Sequence, residues 1–213
     1  MNLDSEAVHE LAAMIENIEE TSEIELRMKC NNNQIDKLLE NLMASKRWTK
    51  QTKESYTVHL TKDLRLRNMG KKTVATKKKI LKQSQWYIGG DIEEGFVVKI
   101  CHASEEVQRS RPKREIIGLR HIERYSFVYK DYIRYDISRS VHVDSTLYTQ
   151  QEPSTLANEV EIELIGKNTA YDKAPVASKL YALSLLMKVR DVICMINCIP
   201  CETDLSLEKV PCK

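Results

Sequence analysis

Two short segments carry residues whose spacing alone could do chemistry. Glu23-Ile-Glu25-Leu-Arg27-Met-Lys29 and Glu159-Val-Glu161-Ile-Glu163-Leu alternate charged with apolar residues. A strand points successive side chains to opposite faces. Glu23, Glu25, Arg27 and Lys29 therefore share one face, and Glu159, Glu161 and Glu163 share another. The opposite faces are apolar and must pack on something. Like charges about 4 Å apart repel by about 4 kcal/mol at an effective dielectric of about 20. Carboxylates gathered this way call for a cation, and Mg2+ and Mn2+ prefer oxygen ligands. Same-face neighbours lie about 6.6 Å apart along a strand, so Glu23 and Glu25 reach one ion only by converging their side chains. Either segment alone also suits an ordinary strand with its charged face in water.

The elements that must position these residues can be sketched from periodicity. Asp4 or Ser5 caps a helix over about 5–20, striped by Leu11, Met14, Ile15 and Ile18. Asn31-Asn-Asn33 reads as a turn before a second helix over 34–45. Strands follow at Tyr56–Leu60, Asp63–Arg67, Thr73–Leu81 and Phe96–Cys101, with a break at Gly89-Gly90. Residues 104–115, which hold Pro112, read as a loop. Residues 116–128 and 131–141 read as a hairpin turning at Lys130-Asp131. A mostly apolar helix runs from Pro175 to about 199 and packs on the outside of a sheet. The sum is about eight strands with helices at both ends and one inserted early.

Charged faces recur in strand after strand and mix both signs. Water-facing sheet surfaces explain this less well than a closed barrel with the charges inside. In that arrangement acids hold a metal on one wall, and Arg and Lys hold an anion on the others. The apolar faces point outward under the helices.

The chain has 213 residues, 42% hydrophobic and 30% charged, which suits one domain over 1–213. Its net charge of +2 hides a basic middle from Lys46 to Arg139, which suggests an anionic partner. No run reaches the ~18 apolar residues of a membrane span, and the first residues lack a signal-peptide pattern. The expectation is an intracellular protein with reduced thiols and no membrane partner. Cys194, Cys198 and Cys201 include a CxxC spacing, but Cys212 is the nearest fourth ligand and no His is near, so small buried hydrophobes are the simpler reading. The five His residues suggest no nucleophilic triad.

In order and spacing, residues 21–165 resemble the triphosphate tunnel metalloenzymes, and within them the RNA triphosphatases of fungal and DNA-virus type. Glu23-x-Glu25-x-Arg27 resembles that family's ExExK strand, with Arg for Lys. Glu159-x-Glu161-x-Glu163 resembles its ExExE strand, and Arg134-x-Asp136-x-Ser138 its Arg-x-Asp-x-Thr/Ser strand. Arg120 to Phe127 resembles the preceding basic strand, with Ile122 where the family usually has Lys. Lys99 with Glu105 resembles a basic/acidic pair. Arg65, Arg67, Lys77 and Lys79 correspond by strand order only.

The resemblance implies an α+β fold: a closed antiparallel eight-stranded β-barrel with flanking helices. It implies removal of the γ-phosphate from 5′-triphosphate RNA, the first step of mRNA capping. Glu23, Glu25 and Glu163 would bind Mn2+ or Mg2+. Glu161, Arg134, Asp136 and Arg124 would be catalytic, with Glu161 either orienting water or holding an Arg. Arg65, Arg67, Lys77, Lys79, Lys99, Arg120 and Ser138 would bind substrate. Partners would be the RNA 5′ end, NTPs and an RNA guanylyltransferase, at a nuclear or a viral or cytoplasmic transcription site. Two other functions compete. One is a tunnel enzyme acting on inorganic, thiamine or polymeric triphosphate. The other is a non-enzymatic basic RNA-binding module, which calls for aromatics stacked on the basic faces; Phe96 and Phe127 fall on the opposite parity to Lys99 and Arg124.

Overall fold

The computed structural model describes residues 5–70, 72–90, 92, 95–108, 116–144, 155–165, 175–201 and 205–212. The elements run α1 (Glu6–Glu16), β1 (Ser22–Cys30), α2 (Asn32–Ala44), β2 (Lys50–Leu60), β3 (Arg65–Met69), β4 (Lys72–Gly90), β5 (Phe96–Gln108), β6 (Gly118–Tyr129), β7 (Ile133–Asp144), β8 (Thr155–Leu164), α3 (Pro175–Asn197) and β9 (Leu205–Val210).

The strands form one sheet in the order β3-β2-β6-β7-β8-β1-β5-β4-β9, and β3 also pairs with β4. That last pairing closes eight antiparallel strands into a barrel, the expected α+β fold. β9 sits outside the ring, on the second half of β4. β3 closes the ring at one end, pairing Thr57–Leu60 of β2 and Lys72–Thr76 of β4; among the described residues Lys50–Tyr56 and Lys77–Ser84 carry a ladder on one side only.

Helices cover one side of the barrel only. Leu11 and Ile15 of α1, Leu38 and Leu42 of α2, and Leu185 and Val189 of α3 join one apolar core with Ile24 and Leu26 of β1, Ile100 of β5, Ile137 of β7 and Ile162 of β8. Burial of these outward faces fixes the register, because a slip of one residue would bring apolar side chains into the lumen. Trp48 joins α2 to the barrel. Its indole Nε1 donates to the Leu42 carbonyl at 2.6 Å, and its ring packs 5.5 Å from Phe127 and 5.3 Å from Tyr135. Among the described residues no helix is long and apolar enough to cross a membrane.

The hairpin turns at Lys130-Asp131 as expected, with φ of 49° and 61°; Tyr132 N–H donates to the Tyr129 carbonyl, and three residues, 130–132, connect the paired Tyr129 and Ile133. Three expectations about elements are corrected. Asn31 is not in a turn but caps α2, exchanging hydrogen bonds with Gln34 in a capping box. The strand at Phe96 does not give way to loop at residue 104 but continues to Gln108 because it pairs with β4; residues 109–115 lie outside the described residues. β9 lies beyond the expected elements; Leu205 and Leu207 pack towards the core beside β4.

Candidate active site

The two carboxylate strands are neighbours. β1 and β8 pair antiparallel, so Glu25 faces Glu163, Arg27 faces Glu161 and Lys29 faces Glu159. Their apolar residues lie in the core, and their charged residues line the lumen. Three cavities that share lining residues succeed one another along it. The wide end measures about 560 Å³ and is lined by Lys50, Thr52, Arg134 and Asp136 among others. The middle, about 240 Å³, holds Glu23, Glu25, Glu161 and Glu163 opposite Arg65 and Arg67. The narrow end, about 120 Å³, is lined by Lys99, Cys101 and Arg65.

The catalytic candidates form one bonded network. Arg124 Nε donates to Ser138 Oγ at 3.1 Å, and its two terminal nitrogens donate to Asp136 at 3.0 Å and Glu161 at 3.1 Å. Asp136, 2% exposed, also accepts from Ser126 Oγ at 2.6 Å and pairs with Arg134 Nε at 3.1 Å. Arg134 reaches Glu163 with its other arm. Glu161 is shared by Arg124 and by Arg27, at 2.6 Å. Burial pushes the Glu161 carboxyl up, but Arg124 and Arg27 more than offset this and hold it below the usual range. Glu161 thus holds two guanidiniums, one of the two arrangements expected of it. Ser138, 2% exposed, lies beneath Arg124 as its seat and does not line the cavities.

Arg120 pairs with Glu159 at 2.7 Å. Arg65, Arg67 and Lys99 all reach the lumen. Among the described residues no carboxylate lies within ion-pair distance of any of the three, so their charges are open to an anion.

Lys77 and Lys79 do not belong to the site. Both are exposed on the outer surface, and the lumenal lysine is Lys78. Its ammonium lies on Glu23 and, at 3.0 Å, on Glu25. Three consecutive lysines carry no alternation, so parity cannot be read from them. A bulge between Ile80 and Lys82 then reverses the faces of β4. The one available signal was Thr76, a lumenal residue two before Lys78.

The expectation that apolar faces point outward fails in β2. Tyr56 and Val58 are buried and Leu60 half-buried inside the lumen, with Ile122 and Met69, in a second small apolar cluster. Lys53 and Ser55 lie on the outer face in water. The helices do not reach this side of the barrel, so its outside is the wet face.

The metal candidates Glu23, Glu25 and Glu163 share the β1–β8 wall. Their donors are all oxygen. Burial pushes the Glu163 carboxyl up to about 8 against the pull of Arg134, with Glu23 and Asp136 adding to the rise. Burial likewise raises Glu23, in spite of Lys78. An all-oxygen donor set on one wall suits a hard divalent ion, which would displace Lys78 from Glu23 and Glu25 and Arg134 from Glu163. Among the described residues no three acidic, His or Cys side chains are gathered about one point; the glutamates would have to turn towards a common centre. Cys194 is buried, and Cys198, Cys201 and Cys212 are exposed free thiols.

No protein-family model and no curated protein matches the chain. Solved structures do. The Pct1 RNA triphosphatase of S. pombe aligns at 12% identity over 87% of this chain and 90% of that one, with a TM-score of 0.67. The same protein in complex with the Spt5 CTD aligns at 11% identity over 88% and 93%, with a TM-score of 0.69. The RNA triphosphatase domain of a trifunctional mimivirus mRNA capping enzyme aligns at 16% identity over 92% and 99%, with a TM-score of 0.64. At these identities the likeness is one of backbone architecture, and the chain has the triphosphate-tunnel fold of these RNA triphosphatases.

Proposed function

We propose that the protein is a metal-dependent RNA 5′-triphosphatase that removes the γ-phosphate from triphosphate-ended RNA, leaving a diphosphate end for capping. One observation carries this reading: the lumen sets the carboxylate wall of β1 and β8 against Arg65 and Arg67 of β3, cations with no carboxylate partner among the described residues. Such a space suits a polyanion that brings a divalent cation with it. The fold shared with Pct1 and the mimivirus domain supports the choice of RNA among triphosphates.

Phosphoryl transfer asks for in-line positioning and charge stabilisation more than for covalent chemistry. Glu23, Glu25 and Glu163 would hold Mn2+ or Mg2+, which acts as a Lewis acid on a phosphate oxygen. Arg134 and Arg124 face the same cavity from β7 and β6. Asp136, Glu161 and Ser138 fix their planes before substrate arrives, so little reorganisation remains for the transition state. Arg65, Arg67 and Lys99 grip the phosphate chain, Arg by its bidentate fork. Lys78 neutralises Glu23 and Glu25 when no metal is present and would move to phosphate when one is. NTPs would be accepted as short substrates, and a guanylyltransferase would consume the diphosphate end.

The test is phosphate release from γ-labelled RNA with Mg2+ or Mn2+ against a chelator, beside tripolyphosphate. Metal-dependent release from RNA supports the reading. Turnover of tripolyphosphate alone would assign the site to inorganic or small organic triphosphates, and no release from either would leave no enzyme.

A further inference from the structure

Tyr56 is the one hydroxyl-bearing residue of the apolar lumenal patch, and its hydroxyl is unused. The residue is 5% exposed, and its Oη is buried with no hydrogen-bond partner. An orphaned buried phenol is costly and rare in a folded protein. Val58, Leu60, Ile122 and Met69, its neighbours in the patch, offer no donor or strong acceptor. The ring itself is held firmly. Arg67 lies over it at 4.6 Å and Arg124 at 6.0 Å, both as cation–π contacts. Following the ring of strands, β2 stands opposite β1, so Tyr56 faces the Glu23–Glu25 wall across the middle cavity.

A group between that wall and these two arginines is an anion. We propose that Tyr56 is a substrate-contacting residue whose hydroxyl donates a hydrogen bond to a non-bridging oxygen of the bound phosphate chain. The inference rests on the triphosphate reading of the lumen. The apolar patch keeps water from the phenol on one side, and the arginines over the ring hold its oxygen in place while the O–H can turn to an acceptor. The orphaned donor of the free protein is then satisfied only when a phosphate chain is bound. Its hydrogen bond would go to an ionised oxygen, where such bonds are strongest.

The experiment compares wild type with Tyr56→Phe, which removes one oxygen and keeps the ring between Arg67 and Arg124. The Tm of each is measured alone and with tripolyphosphate plus Mn2+, and kcat and KM are measured on tripolyphosphate and on triphosphate-ended RNA. The expected result is a free-protein Tm equal to or above wild type, a smaller ligand-induced rise, and kcat/KM lower by about ten- to hundredfold. An unchanged ligand-induced rise with unchanged kcat/KM overturns the proposal. So does a lowered Tm without ligand, which would place the hydroxyl in the service of the fold. If wild type hydrolyses triphosphate and Tyr56→Phe equals it, this inference falls and the enzymatic reading stands. If wild type hydrolyses nothing but its tripolyphosphate-induced rise depends on the hydroxyl, the enzymatic reading falls and this one stands. If tripolyphosphate raises neither Tm, the lumen takes no phosphate chain and both fall.

Discussion

Arg134 spans two carboxylates with different nitrogens, Asp136 through Nε at 3.1 Å and Glu163 through a terminal arm. A single ammonium cannot reproduce that span. Arg134→Lys should therefore lower kcat by about tenfold or more while Tm changes little; a wild-type kcat would reduce Arg134 to a diffuse charge. Lys78 and its flanking lysines form a sharper contrast. Lys78→Ala should cut turnover by about 100-fold or more, whereas Lys77→Ala and Lys79→Ala should leave it within about twofold. Equal effects from all three would mean that β4 is read on the wrong face. Glu163 gives a pH signature. Its folded-state carboxyl is raised to about 8, above an unfolded value of about 4.3. The folded state therefore binds the extra proton, and the stability it brings is full below about pH 4 and lost as pH rises through 8. In metal-free protein, Glu163→Gln should flatten the fall in Tm across this window. An unchanged slope would contradict the burial argument.

At the scale of elements, β4 is one strand with two parities. Before the bulge Thr76 and Lys78 point inward; after it Trp86 and Ile88 lie in the core at 3% and 0% exposure. Deleting Leu81 removes the extra residue and joins the two halves in one unbroken alternation, with Ile80 still opposite Ala103, Lys82 still opposite His102 and every remaining side chain on its present face. The deletion should therefore leave the protein folded with Lys78 still in the lumen, and a variant that loses folding would show that the local twist of the bulge is itself required. The physical source of what could be read in advance is visible here. Alternation is legible where one strand face is dry and the other charged. This is why the opposed faces of β1, β7 and β8 could be placed from Glu23, Asp136 and Glu161. In β2 the alternation of Tyr56, Val58 and Leu60 was equally clear, but its direction depended on which side of the barrel the helices cover, and local sequence carries no such information. In β4 the lysine run erased the pattern, and the bulge had no local signal. The role of Ser138 depended on Arg124 arriving from the neighbouring strand, a tertiary fact.

The whole molecule encloses acids and bases in one lumen, a costly arrangement unless the charges are paired or hold ions. Among the described residues five cations are paired there: Arg27, Arg120, Arg124, Arg134 and Lys78. Arg65, Arg67 and Lys99, with Lys50 at the wide end, have no carboxylate partner among the described residues, and they define what the barrel should take. Tripolyphosphate with Mn2+ should raise Tm by mass action, more than either alone, and Glu25→Ala should remove most of that synergy. The identity of the products separates γ-phosphate hydrolysis from every other cleavage of a triphosphate end. RNA labelled at both the β- and γ-phosphates of its 5′ end is incubated with the protein and Mn2+. The γ-label should leave as inorganic phosphate and the β-label stay on a diphosphate-ended RNA, with a chelator or Glu25→Ala each stopping the reaction. Release of pyrophosphate, or γ-phosphate release that survives both chelator and Glu25→Ala, would contradict metal-dependent γ-phosphate hydrolysis.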